Sequence, residues 1–156
     1  TVQSVTARYQ VGTSTYLDER TPYGLQLSSD GTRMVVIGDY RDNFVSYTLS
    51  TAWDLSTASI DIVDQTGTFA TNAQNPYRYT TAIDANQDFT SFYVADTIKD
   101  SIFQYNLSSN TSMMNVSNVY HFSVLSETND PIGLQLKPDG TEMYVMHNGG
   151  NIFTYT

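Results

Sequence analysis

The chain contains no cysteine, which excludes disulfides, thiolate metal sites and cysteine nucleophiles together. Basic residues are almost as scarce: seven Lys and Arg, scattered singly, stand against sixteen Asp and Glu, for a formal net charge of −9. A nucleic-acid binder needs a basic stripe to displace counterions, and docking on an anionic membrane makes a similar demand. No apolar run approaches the roughly 20 residues that cross a bilayer. Neither nucleic acid nor membrane insertion is therefore expected. Charged residues of both signs reach only 15%, below the usual quarter or so, so Ser, Thr, Asn and Gln must carry the polar surface. Such a surface predicts an extracellular or virion location.

What the chain has instead is strand-forming material. Aromatic residues make up 13%, chiefly twelve Tyr and seven Phe, and Thr, Ser and Val are abundant. These side chains suit a half-buried pleated surface better than a helix. No segment sustains a period of 3.6, so very little helix is expected. The length of 156 residues fits a single domain over 1–156 with a core of its own.

The dominant signal is an internal repeat. Pro22-Tyr23-Gly24-Leu25-Gln26-Leu27-Ser28-Ser29-Asp30-Gly31-Thr32-Arg33-Met34-Val35-Val36 returns as Pro131-Ile132-Gly133-Leu134-Gln135-Leu136-Lys137-Pro138-Asp139-Gly140-Thr141-Glu142-Met143-Tyr144-Val145. A weaker middle copy begins at Pro76-Tyr77 and runs through Ile83, Asp84, Asp88 and Phe89 to Phe92-Tyr93-Val94. The three prolines stand 54 and 55 residues apart (76 − 22 and 131 − 76).

Each copy reads as the same succession of strands. An alternating strand such as Gly24-Leu25-Gln26-Leu27 leads to an Asp-Gly turn, where Gly supplies a positive φ; the middle copy lacks that pair. A nearly continuous apolar strand follows, at Met34–Ile37, Phe92–Ala95 and Met143–Met146, as expected for burial on both faces. A third strand ends in Tyr47, Tyr105 or Tyr155. Fourth strands are expected near Ser59–Val63 and Val119–Val124. No fourth strand follows Tyr155 in this sequence, and Val5–Val11 offers a strand that completes the last unit from the N-terminal side.

The pattern Gly-Leu-Gln-Leu-x-x-Asp-Gly-Thr-x-Met-x-Val resembles the YVTN-type β-propeller repeat, whose SPDGT-x-x-YV hairpin forms the first two strands of each blade. Lys137-Pro138-Asp139-Gly140-Thr141-Glu142-Met143-Tyr144-Val145 is the nearest match. The first copy departs at Ser29 and Val35. The tract Leu49–Ala58 also looks like a linker common in propeller-repeat proteins of marine phages and bacterial surfaces. The resemblance implies an all-β fold of three four-stranded antiparallel β-propeller blades of roughly 54 residues, near 21–63, 75–124 and 130–156 plus 1–11. Closed propellers have four to eight blades, so three would form an open arc with two unpaired edges. Self-association, or a place in a larger assembly, is the expected consequence.

Candidate sites are few. Polar loops after each second strand carry Asp39, Tyr40, Asp42 and Asn43, then Asp96 and Asp100, then Asn148 and Asn151. Equivalent loops gather on one rim of a ring, where carboxylates, amides and a tyrosine platform suit a carbohydrate; their plainer reading is connection between strands. His121 and His147 sit in different repeats with no ligating neighbour at useful spacing and read as structural. Asp84–Asp88 mimics the opening of a calcium loop, but Phe89 occupies the required Gly position and Ala95 the required Glu position. Trp53, the sole Trp, is expected to anchor packing between blades. Asn106, Asn110 and Asn115 head glycosylation sequons expected in one loop between third and fourth strands. No nucleophile elbow, phosphate loop or zinc-protease helix is present. The sequence therefore predicts a non-catalytic structural or adhesive module of an external assembly, binding copies of itself or neighbouring subunits, with no cofactor or metal. A lectin-like propeller using the rim loops is the second expectation.

Overall fold

The computed structural model describes residues 21–38, 44–64, 80–108, 116–127 and 129–156. Within them lie three antiparallel sheets. Sheet one is β1 (Pro22–Leu27), β2 (Arg33–Gly38), β3 (Phe44–Leu49) and β4 (Ala58–Asp64), in that order. Sheet two repeats it with β5 (Thr80–Ala85), β6 (Ser91–Asp96), β7 (Ser101–Leu107) and β8 (Val116–Ser123). Sheet three is a three-stranded version, β9 (Pro131–Leu136), β10 (Met143–His147) and β11 (Ile152–Tyr155). Helix is limited, among the described residues, to one 3-10 turn at Leu55–Thr57, capped by Asp54, whose carboxylate accepts from the Ser56 amide at 3.0 Å. The segment Val5–Val11, expected to complete the third sheet, lies outside the described residues.

Register makes the three sheets superposable. Leu25 faces Val36, Ile83 faces Val94 and Leu134 faces Val145. Leu25, Ile83 and Leu134 are therefore one position in three settings, as are Asp30, Asp88 and Asp139. The turn aspartates stand 58 and 51 residues apart (88 − 30 and 139 − 88). The even proline spacing is thus not the structural one: Thr80, opposite Asp96, occupies the place held by Pro22 and Pro131, and Pro76 lies outside the described residues.

The middle hairpin also corrects the sequence reading. Asp88-Phe89 stands where the other copies have Asp-Gly, and Phe89 adopts φ 57° beside Gly31 at 71° and Gly140 at 72°. A left-handed backbone costs a non-glycine residue about 1–2 kcal/mol. Burial offsets it: the Phe89 ring is 3% exposed and packs edge-on against Phe92, centroids 4.7 Å apart.

The core lies between the sheets. Val35, Ile37 and Phe44 on one face of sheet one meet Ile83, Phe89, Phe92, Val94, Phe103 and Tyr105 of sheet two. The opposite face of sheet two, with Ala95, Ile102 and Val124, meets Leu136, Met143 and Val145 of sheet three. The first strands β1, β5 and β9 lie side by side, so the sheets fan out from a common line. Trp53 takes no part in this packing. It is 61% exposed and covers Gly31 of its own sheet's turn, where a Cβ would fall 2.3 Å from the indole. The Leu49–Ala58 tract folds back on the hairpin, the Trp53 amide donating to the Gly31 carbonyl at 2.9 Å.

Candidate functional site

Each first strand runs toward its hairpin turn, so the Asp30, Asn86 and Asp139 turns share one end of the fan and the C-terminal ends of β2, β6 and β10 share the other. In the first turn the Asp30 carboxylate accepts from the Thr32 amide (3.0 Å), the Thr32 hydroxyl (2.8 Å) and Ser28 (2.7 Å), and these bonds hold its pKa at about 2. Asp139 repeats this with Thr141 and adds Lys137 Nζ at 3.0 Å, again with a pKa of about 2. In the middle turn Asn86 does the work instead, its side-chain oxygen accepting from the Thr90 and Ser91 amides, each at 2.8 Å.

Next to these turns, Gln26, Asp84 and Gln135 are equivalent residues of the three first strands. Asp84 is buried at 5% exposure. Its Oδ2 accepts from the Leu136 amide (2.6 Å) and Gln135 Nε2 (2.8 Å), while Oδ1 accepts from the Ala85 amide (2.8 Å). The carboxylate thus ties sheet two to sheet three. Burial raises its pKa above the ordinary 3.8, outweighing the Leu136 and Ala85 bonds that pull it down.

Around this tie opens a polar cavity of about 670 Å³, walled by Gln26, Asp84, Gln87, Tyr93, Gln135 and Lys137 among others. A second cavity of about 340 Å³, lined by Gln104, Phe122, Glu142 and Tyr155, shares Tyr93, Leu136 and Gly140 with the first. Together they form a groove along the junction of sheets two and three. Lys137 is engaged by Asp139 and, at 3.7 Å, by Glu142, so the groove presents no unpaired cation among its described lining residues. The sequence reading missed this site because Asp84 and Gln135, near the ends of their strands, look like ordinary hairpin polar residues.

Those of the expected rim residues that are described lie at the far end. Asp39, Tyr40, Asp42 and Asn43 are outside the described residues. Asp96 is buried and caps its own turn, accepting from the Ile98 and Lys99 amides at 2.9 Å each. Asp100 has φ 47° and a buried Oδ1 without a hydrogen-bond partner; burial, then Asp130 and Asp96, raises its pKa. The Asn148 side-chain amide donates to Asp130 Oδ2 at 2.7 Å, and the Asn151 carbonyl accepts from the His147 amide at 2.9 Å. The structure thus brings Asp96, Asp100, Asp130 and Asn148 near one another.

Asn106 lies within β7 opposite Asn118, not in a loop, and its side-chain oxygen accepts from Ser91 and Gln104. Asn110 and Asn115 fall outside the described residues. His121 stacks on Phe103 at 5.4 Å, and His147 Nδ1 accepts from the Gly149 amide at 3.1 Å. Among the described residues no group of three or more His, Asp or Glu is placed to hold a metal ion. No described helix is long and apolar enough to cross a membrane.

This geometry is that of β-propeller and WD40-like proteins. A protein from Lactobacillus plantarum matches at TM-score 0.64 and 18% identity, over 86% of this chain and 37% of its own. A putative 6-phosphogluconolactonase from Bacteroides fragilis matches at TM-score 0.62 and 14% identity, over 85% and 34%. Kuenenia stuttgartiensis hydrazine synthase matches at 0.56 and 15%, over 96% and 33%, and the C-terminal WD40 domain of Sif2 at 0.55 and 12%, over 86% and 34%. The chain thus spans about a third of the length of each. No protein-family model matches the sequence, and no curated protein matches it. At these identities the likeness shows the fold alone. Two of the four carry enzyme names, so the expectation of a non-catalytic protein draws no support from the fold.

Proposed function

We propose that the three sheets are YVTN-like propeller blades, and that the chain is a non-catalytic building module joining a second copy head to tail in an external assembly such as a virion or an extracellular fibre. The carrying observation is the equivalence of the packed and unpacked faces. Val35, Ile37 and Phe44 of sheet one cover sheet two; the same positions in sheet three are Tyr144, Met146 and Ile152. Met146 and Ile152 are 43% and 67% exposed. At the other end of the fan, Leu25 holds the position of Ile83 but is 55% exposed, beside an apolar cleft of about 300 Å³ lined by Tyr23, Met34, Val36 and Leu55.

Two glycines sharpen the match. A Cβ on Gly24 would meet both Ile37 and Ile83, at 2.8 and 2.9 Å. Gly24 is thus the gap through which neighbouring sheets touch. At the equivalent Gly133, Met146 supplies all three nearest atoms. Leu25 of a second copy fits that vacant side as Ile83 fits beside Ile37. Such a contact is heterologous, so it closes a ring if the rotation allows and grows a filament if it does not. The low charge and hydroxyl-rich composition support an external setting.

Sedimentation equilibrium tests the reading. Multiples of 17.4 kDa are expected, with Ile152→Asp shifting the protein toward the monomer. A monomer at every concentration contradicts it.

A further inference from the structure

We infer that the groove between sheets two and three binds a neutral polyhydroxylated ligand, an oligosaccharide, at the hairpin-turn end and not at the rim loops. This is independent of the association proposed above, because the groove lies inside one chain.

The argument is one of unused hydrogen-bonding capacity. Most of the groove's charged groups are already engaged. Asp84 holds sheet three; Asp139 holds Thr141 and Lys137; Glu142 accepts from the Tyr144 hydroxyl and lies beside Lys137. An anionic ligand would find its one cation taken, and a cationic ligand would find only Asp88 uncommitted among the lining carboxylates. Capacity remains on uncharged groups. The Gln87 side chain and the Tyr93 hydroxyl make no hydrogen bond within the described structure. Gln104 and Gln135 commit their nitrogens, to Asn106 and to Asp84 and the Leu136 carbonyl, and leave their side-chain oxygens. Burial raises the Tyr93 pKa above 10.0, so its hydroxyl stays a donor.

The Gln87 amide and the Tyr93 phenol, which both donate and accept, together with the accepting oxygens of Gln104 and Gln135, match the mixed demands of sugar hydroxyls. Tyr93 walls both cavities, which also places an aromatic ring midway along the groove. At about 670 and 340 Å³, each cavity has the volume of a small-ligand site, and two that share lining residues suit an extended ligand.

The probes are neutral hexasaccharides of glucose, mannose and xylose, with spermine and tripolyphosphate as charged comparators. Binding is read by saturation-transfer NMR and calorimetry at up to about 10 mM, where a millimolar Kd saturates. At least one hexasaccharide is expected to bind. Tyr93→Phe and Gln104→Ala should each weaken it about three- to tenfold, the loss of one hydrogen bond, with melting temperatures checked alongside. Asn151→Ala at the opposite end should leave it unchanged. Binding of none of the hexasaccharides, binding of only a charged comparator, or loss through Asn151→Ala but not through the groove variants would each overturn the assignment.

Discussion

The two junctions of the fan use one backbone plan and differ in the side chains that fill them. Sheets one and two meet through large rings: Phe44, Phe89, Phe92, Phe103 and Tyr105 are all buried, and Phe44 lies edge-on to Phe92 at 5.7 Å. Arg33 closes this junction with its guanidinium 5.4 Å above the Phe89 ring. Sheets two and three meet through smaller side chains, Ala95, Val124 and Val145, and through polar ties, Asp84 to Leu136 and the Thr81 hydroxyl to the Pro131 carbonyl at 2.7 Å. The aromatic junction is filled where the polar one leaves a groove. Stability and recognition are thereby separated along the arc.

Breaking each junction in turn should reveal that difference. Phe92→Ala, at a fully buried ring, is expected to cost about 3–5 kcal/mol, and Ile102→Ala at the other junction about 2–4 kcal/mol; urea denaturation measures both. Asp84→Ala strands the Leu136 amide and the Gln135 nitrogen and should cost about 1–3 kcal/mol. Its amide exchange should rise at β9 and not at β1, which proteolysis-coupled mass spectrometry can read. At the turns, Gly140→Ala meets open space and should cost only the left-handed backbone, about 1–2 kcal/mol. Gly31→Ala should cost more, because Trp53 must be displaced, and should change the indole fluorescence.

The smallest effect separates the aspartates by pH. Asp30 and Asp139, lowered to about 2, contribute stability above the unfolded value of 3.8 that is lost as pH falls toward 2. Asp84 has a raised folded pKa, so its contribution is full below 3.8 and declines as pH rises through the folded value. Asp84→Asn should remove the decline above pH 3.8 and leave the acid limb intact. Thermal melts across pH 2–7 check both limbs.

Much of the strand order was legible because period-2 alternation and Asp-Gly turns are local: Gly31 and Gly140 have the expected positive φ, and fourth strands occur at Ala58–Asp64 and Val116–Ser123. The middle turn was not, because Phe89 trades backbone comfort for burial that only the tertiary contact provides. Trp53 misled for the related reason that an aromatic after a strand can cover its own hairpin as well as a neighbour. The groove was invisible since Tyr93 and Gln104, paired across β6 and β7, meet Gln135 only when sheets two and three stack. Of the expected rim residues that are described, Asp96 closes its own turn and the Asn148 side chain is tied to Asp130.

Because the chain has no cysteine, the head-to-tail contact can be tested with engineered thiols. Met146→Cys and Leu25→Cys chains, mixed under mild oxidation, are expected to form a mixed disulfide dimer in preference to either homodimer, as the Ile37–Ile83 contact within the chain implies. Homodimers in equal yield, or no cross-link at concentrations where the chain associates, would contradict the account.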